Sequence, residues 1–447
     1  MSVPASSLAP KSAPSLRDSR FVMTIAGLVV LATIPLVFND VFVTSLVARM
    51  MIFAIAAASL DLILGYGGMV SFGHAAFLGI GSYAVGILAF YEITDGYLQF
   101  VVAIVASALI AAFIGALSLR TGGLYFLMIT FAFSQMLYYL GISLEPYGGD
   151  DGMNIDRSEF GFMNLNNNLL NSGEGSRDMQ LIFFTTLIIL VFSVIVLRRF
   201  VNSRFGMVVR GAQSNEPRMQ TIGFSTFRYR LTAFVIAGSF CGLAGALWAN
   251  HQEFVTPEYM HWFRSGEIMV MVLIGGMGTI IGPVFGAIAF LTVEELLKGF
   301  DLDFSFQLGE RTVNIIYTGQ NDWPLIFGPL LVLLVLFTRK GLFGLIPERN
   351  RSFNAILKAI GVIFIALAVG AGAWLLFGDG LKSALGDSIG PISTKSFVKY
   401  LLAAGLGAFY TVTMARWTHA NRATISFFIV GTLRAIKRRS AKGRETS

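Results

Sequence analysis

Long apolar stretches alternate with short polar ones along almost the whole chain. The stretches are Phe21–Phe38, Val41–Leu64, Met69–Phe90, Leu98–Leu119, Leu124–Leu144, Met179–Leu197, Leu231–Ala249, Gly266–Lys298, Trp323–Phe337, Phe353–Phe377 and Phe397–Ala415. A helix that crosses a bilayer needs about 20 mainly apolar residues, fewer where neighbours cover its ends. The pattern therefore predicts an all-α polytopic membrane protein with about 10–12 transmembrane helices. The stretch Gly266–Lys298 exceeds one span and is interrupted by Gly275-Gly276-Met277-Gly278-Thr279 and Gly282-Pro283. It is predicted as a hairpin of two short limbs.

Composition agrees with this pattern: 55% of residues are hydrophobic and 13% charged, with a mean hydropathy of +0.70. Soluble domains carry about 25% charged residues. The net charge of +7 does not indicate nucleic acid, because the basic residues cluster in alternate loops. That is the bias of cytoplasmic loops in membrane proteins. It places Arg120, the loop 198–230, Arg339–Arg351 and the tail with Arg434, Lys437, Arg438 and Arg439 inside. The acidic loops Glu145–Asp178 and Asp301–Asp322 then lie outside, and both termini are cytoplasmic. Residues 1–20 form a polar cytoplasmic tail without a small-residue cleavage site after the first apolar run, so that run reads as an uncleaved span. The single cysteine, Cys241, rules out an intrachain disulfide.

The loop 198–230 has seven arginines against one acid, Glu216. Inside it, Asn215 suits the N-cap of a short helix with Pro217 in the first turn, and Gly223 suits the left-handed position that ends one. Such a capped helix between two spans suits a docking surface for a cytoplasmic partner. A plain orienting loop accounts for the charge equally well.

Two glycine motifs echo each other 208 residues apart. Gly67-Gly68-Met69-Val70-Ser71-Phe72-Gly73-His74-Ala75-Ala76-Phe77 aligns without gaps on Gly275-Gly276-Met277-Gly278-Thr279-Ile280-Ile281-Gly282-Pro283-Val284-Phe285. Both follow a segment running towards the cytoplasm, which predicts a parallel internal pseudo-repeat. Glycine-broken segments at matching positions point to a transporter's pathway, because a broken helix frees N–H and C=O groups for a solute. Gly67, Gly68, Ser71, His74, Gly275, Gly276 and Thr279 are thus candidates for the translocation path. Close helix packing explains the same glycines, and Gly238-xxx-Gly242 reads as a packing seam. Arg49 lies deep in the second span, where a charge costs about 2.5–3.5 kcal/mol on insertion scales. It can snorkel outward, bridge to another subunit or face an anionic solute. Asp61 fits a position near the inner headgroups, and His74 a buried interhelical hydrogen bond. His251 and His261 fall in an outer loop without a third ligand, so no metal site is expected. Gly378-Asp379-Gly380-Leu381-Lys382-Ser383 lacks the adjacent Gly-Lys of a phosphate loop. No catalytic motif is present.

The run Gly65 to Tyr83 closely resembles a signature of LivM-type permeases, subunits of branched-chain (hydrophobic) amino acid ABC importers. Matches follow in family order at Gly148–Met153, Ser203-Arg204-Phe205-Gly206 with Arg210, Asn215-Glu216-Pro217 and Gly223. They continue at Ala237–Ala246, Gly275–Pro283 and Phe337–Gly344. The resemblance implies a permease domain over 21–344 whose loop 198–230 seats a coupling helix in an ATPase subunit. Arg204, Phe205, Gly206, Arg210, Asn215, Glu216, Pro217 and Gly223 carry that match. It also implies a second permease subunit, two ATP-binding cassette subunits that bind ATP and Mg, and a periplasmic or lipid-anchored solute-binding protein. The chain itself would hold no cofactor and would sit among lipids of a bacterial cytoplasmic (inner) membrane. The solute would be a branched-chain or hydrophobic amino acid, or a related urea, amide or organic acid. A self-sufficient secondary transporter of about twelve helices is the alternative, and a channel-like pore a third reading. Residues 345–447, with two extra predicted spans and a basic tail, extend beyond the family's usual ending, and the loop 299–322 is expanded.

Overall fold

The computed structural model describes residues 40–158, 174–298, 302–308 and 311–317, with 324–325, 327–329 and 331. All belong to one compact unit, Met1–Phe353. The predicted tail 1–20, the spans 21–38, 353–377 and 397–415, most of 323–337 and the extension 345–447 lie outside the described residues. The helices are α1 (Val41–Leu64), α2 (His74–Phe90), α3 (Gly96–Ser118), α4 (Leu124–Ser143) and α5 (Glu174–Val201). After them come α6 (Arg204–Ser214), α7 (Glu216–Thr221), α8 (Thr226–Gln252), α9 (Trp262–Gly275) and α10 (Gly282–Lys298). Five of the described helices are long and apolar enough to cross a membrane, and α2 is a shorter apolar helix.

Helix α1 is the centre of the bundle. The Asp40 carboxylate accepts from the Phe42 N–H at 2.9 Å and caps its start. Its residues are mostly apolar on every side, as in a membrane span or a buried core helix. It packs against α5, α8, α9 and α10, and the stretch from Met50 to Leu64 is buried throughout. The outer helices are two-faced. On α3, Leu98, Val101, Val105, Leu109, Phe113 and Leu117 are exposed. That stripe recurs every three to four residues, as a lipid-facing surface should. The opposite stripe, Gln99, Ala103, Ser107, Ala111, Gly115 and Ser118, is buried and faces α8.

Without a hydrophobic drive between helices in lipid, close packing has to hold them together. Along α8, small residues provide it. A Cβ on Gly238 would stand 2.6 Å from Ala111 Cβ, and one on Gly242 2.0 Å from Ser107 Oγ. The Gly238-xxx-Gly242 pair is thus the packing seam expected. Aromatic edges complete the core, with Phe53 on Trp248 at 5.1 Å and Phe77 on Phe234 at 5.6 Å between ring centroids.

Two findings change the predicted elements. The third span does not start at Met69: residues between Gly65 and Gly73 are non-helical and α2 begins at His74. Gly68 sits at φ +66°, and the Met69 N–H returns to the Ile63 carbonyl at 2.9 Å. Second, the structure is not purely helical. Two-residue strands β1 (Met153–Asn154) and β2 (Phe254–Val255) pair antiparallel. In the expanded loop, β3 (Leu302–Leu308) pairs antiparallel with β4 (Arg311–Tyr317), Leu302 opposite Tyr317 and Leu308 opposite Arg311. The alternation Leu302, Phe304, Phe306, Leu308 was the signal for that strand.

Candidate functional site

The hairpin expected in Gly266–Lys298 is present as α9, a break at Gly276–Ile281, and α10. Its limbs touch at backbone distance. A Cβ on Gly275 would meet the Gly282 carbonyl at 2.1 Å, and one on Gly286 the Met271 carbonyl at 1.9 Å. At the break Gly276 and Gly278 have φ +110° and +74°, which only glycine adopts without strain. The Thr279 hydroxyl donates to the Gly276 carbonyl at 2.7 Å. The 208-residue offset of the sequence echo carries α2, His74–Phe90, onto α10, Gly282–Lys298. The shared helix bounds extend the resemblance beyond the glycines. The packing differs, because α10 folds back on α9 while α2 packs on α3 and α8.

The two glycine motifs meet at one end of the bundle, and Asp61 joins them. Asp61, in the last turn of α1, is fully buried. Its Oδ1 accepts from the Gly278 N–H at 2.8 Å, so the last turn of α1 caps the hairpin break. Gly65 lies against the same turn, where a Cβ would be 2.2 Å from Gly278 N. Tyr66 sits beside this joint; burial, and then the Asp61 carboxylate, push its hydroxyl up to about 12. Ser71 and His74 lie apart from it. His74 Nε2 and Ser59 Oγ are 2.8 Å apart, the buried interhelical hydrogen bond expected, and Ser71 Oγ accepts from the Gly73 N–H at 3.3 Å.

The loop 198–230 contains α6 and α7. Ser203 Oγ accepts from the Gly206 N–H at 3.4 Å at the start of α6, and Asn215 Oδ1 accepts from the Arg218 N–H at 3.0 Å at the start of α7. Pro217 is in the first turn of α7, and Gly223, at φ +98°, ends it. Glu216 is half-buried and braced within the loop. Its carboxylate accepts from Arg230 Nη1 at 2.6 Å and Thr226 Oγ1 at 2.9 Å, and Arg230 also donates to the Ala212 carbonyl at 3.2 Å. Phe205 lies between Phe200 and Tyr229, at 4.5 and 5.0 Å between centroids. Arg210 donates to the Val201 carbonyl at 3.2 Å. A Cβ on Gly206 would be 2.2 Å from that same carbonyl, so α6 turns tightly out of α5. Arg204 is exposed. The exposed surface of the loop also includes Met207, Ile222, Phe224 and Phe227.

This loop touches the glycine joint. Gln213 Nε2 donates to the Gly65 carbonyl at 3.2 Å, and a Cβ on Gly68 would strike Gln213 at 2.8 Å. A cleft of about 420 Å³, lined among others by Gly68, Val70, Gly122, Phe126, Glu216 and Arg230, opens between them. The link through Asp61, Gly65, Gln213 and Gly278 was not anticipated. Nor was the partner of Arg49, whose Nη2 donates to Glu294 Oε1 on α10 at 2.9 Å, towards the opposite end of the bundle. The pair Glu294-Glu295 within an apolar stretch was the available signal. His251, also at that end, lies in the last turn of α8 rather than in a loop, with Nε2 3.0 Å from the Ser45 carbonyl.

The family described as "branched-chain amino acid transport system / permease component" matches residues 42–336. The high-affinity branched-chain amino acid transport system permease protein LivM of Salmonella typhimurium is 26% identical over 306 residues, 65% of this chain and 68% of that protein. The same-named protein of Escherichia coli is 25% identical over 322 residues, covering 69% and 71%. A probable branched-chain amino acid transport permease protein LivH of Methanocaldococcus jannaschii is 22% identical over 161 residues, covering 35% and 44%. No solved structure matches the chain.

Proposed function

This chain belongs to the family of branched-chain amino acid transport system permease components, and from that premise we propose how its parts divide the work. It is the translocation-path subunit of an ABC importer in a bacterial cytoplasmic membrane. It pairs with a second permease and receives solute from a periplasmic or lipid-anchored binding protein. Two ATP-binding cassette subunits supply ATP hydrolysis with Mg. The solute is a branched-chain or other hydrophobic amino acid, as the names of the relatives suggest. The loop with α6 and α7 faces the cytoplasm, in keeping with its arginines.

The observation that carries this reading is the shape of that loop. Glu216, Thr226 and Arg230 brace it internally, and Ile222, Phe224 and Phe227 stand exposed. These side chains enter a groove of the ATPase subunit.

Replacing Ile222 and Phe224 together by aspartate should therefore detach the ATPase subunits. In cells expressing the whole importer, copurification of the ATPases and leucine uptake should both fall at least tenfold, with the permease at its normal level in the membrane. Replacing Gly223 by valine should act in the same direction by unseating the turn after α7. Uptake within twofold of the parent for both variants would remove the docking role. Leucine uptake that persists when the ATPases cannot hydrolyse ATP would remove the ABC assignment.

A further inference from the structure

A second cleft, of about 440 Å³, opens towards the end of the bundle opposite α6 and α7. Its lining includes Glu258, Phe263, Arg264, Glu267, Glu294 and Lys298. Arg264 Nη1 donates to Glu267 Oε2 at 2.8 Å on one wall, and Lys298 is paired with Glu294 on the other. Arg49 approaches Glu294 from behind. Glu267 and Glu294 are 7% and 2% exposed, so both carboxylates are buried, one near the start of α9 and the other near the end of α10.

Burying charge is costly, and replacing a buried ion pair with apolar residues of similar volume often leaves a protein as stable or more so. A brace between α1, α9 and α10 does not by itself call for ions. Nor is the cluster sealed: it borders an open space within the range of about 300–1,000 Å³ usual for small-molecule sites. The signs also balance, with Arg49, Arg264 and Lys298 against Glu258, Glu267 and Glu294. An anion would meet the carboxylates and a cation the bases. The ligand that suits both is one with a positive and a negative group and no net charge.

We propose that this cleft receives the α-ammonium and α-carboxylate groups of an amino acid entering the permease. The ammonium donates to Glu267 and Glu294, the carboxylate accepts from Arg264 and Lys298, and the side chain lies towards Phe263. Breaking two internal ion pairs on entry is offset by two new ones, so the solute is held without being trapped. The inference rests on the functional reading above and adds a recognition step within the permease itself.

The test is leucine binding, by equilibrium dialysis, to the purified permease–ATPase complex without its binding protein, alongside uptake by cells containing every component. The side chains of Arg264 and Lys298 are each 29% exposed, so Arg264→Gln and Lys298→Met change the rim of the cleft. Each should weaken leucine binding at least tenfold in complexes that still assemble, while Lys298→Arg stays within threefold of the parent. The double variant Arg264→Gln/Glu267→Gln should bind no better than Arg264→Gln alone. Recovery in that neutral pair would show a brace and overturn the proposal, as would binding within twofold in both rim variants. A parent complex that takes up leucine yet does not bind it without its binding protein would overturn the cleft and leave the functional reading standing. A parent that takes up no amino acid would overturn both.

Discussion

Gly245→Ala should cut the amount of folded permease in the membrane several-fold, although it adds a single methyl group. The new Cβ would lie 1.9 Å from the Leu78 carbonyl oxygen and 2.8 Å from its carbon. Both are backbone atoms of α2, so no side chain can turn aside, and the helices must separate. One residue turn away the contact repeats in reverse, with a Cβ on Gly81 falling 2.0 Å from the Gly242 carbonyl. Ser82 Oγ ties the same crossing by donating to the Gly245 carbonyl at 2.8 Å. Overpacking costs about 1–3 kcal/mol, occasionally more. Here it also breaks the tight contact that stands in for a hydrophobic drive within lipid. The expected result is a several-fold drop in folded protein recovered from the membrane and a lower melting temperature for what remains. Gly122→Ala is the matched control, since no atom lies within 4 Å of its Cβ position, and it should leave both unchanged. Equal recovery of the Gly245 and Gly122 variants would show that α2 and α8 can separate without loss.

The same contrast explains what was legible in the sequence. The limits of α1 were readable because an apolar run is bounded by a capping aspartate, Asp40, and by Gly65. The start of α2 was not, because Met69, Val70 and Phe72 keep the run apolar while Gly68 takes a positive φ that hydropathy does not register. The break between α9 and α10 was legible because loop charges required a hairpin and Gly275, Gly276 and Gly278 marked its turn. The strands β3 and β4 were overlooked because their alternation occurs in a loop read only for charge. At the candidate site, the caps at Asn215 and Gly223 were visible as local chemistry. The joint of Asp61 with Gly278, and the pair of Arg49 with Glu294, were not, because their partners lie more than two hundred residues away. A deep charge announces that it has a partner without saying where.

The second large effect is expected at that joint. Asp61→Ala should reduce uptake to less than a tenth of the parent's, while the permease still assembles with its ATPases and hydrolysis continues. The reasoning follows the contacts. Gln213 on α6 donates to the Gly65 carbonyl, the Gly65 and Tyr66 N–H groups return to the Asp61 carbonyl, and the Asp61 side chain accepts from Gly278. A displacement of the loop thus reaches the hairpin through hydrogen bonds and touching backbones, with the Gln213 side chain as the first link. Alanine removes the acceptor and leaves the Gly278 N–H unpaired, at a cost of about 1–3 kcal/mol. That is enough to loosen the break and too little to unfold the bundle. Asp61→Asn keeps an oxygen where Oδ1 now accepts, so it should recover most of the uptake. An asparagine variant as inactive as alanine would assign the role to the charge rather than to the cap. Because spatial contiguity alone does not establish coupling, the decisive comparison is with Gln213→Ala. If both residues act in one relay, the double variant should lose little more uptake than Asp61→Ala does. Independent, multiplying losses would mean that the loop drives the permease by another route.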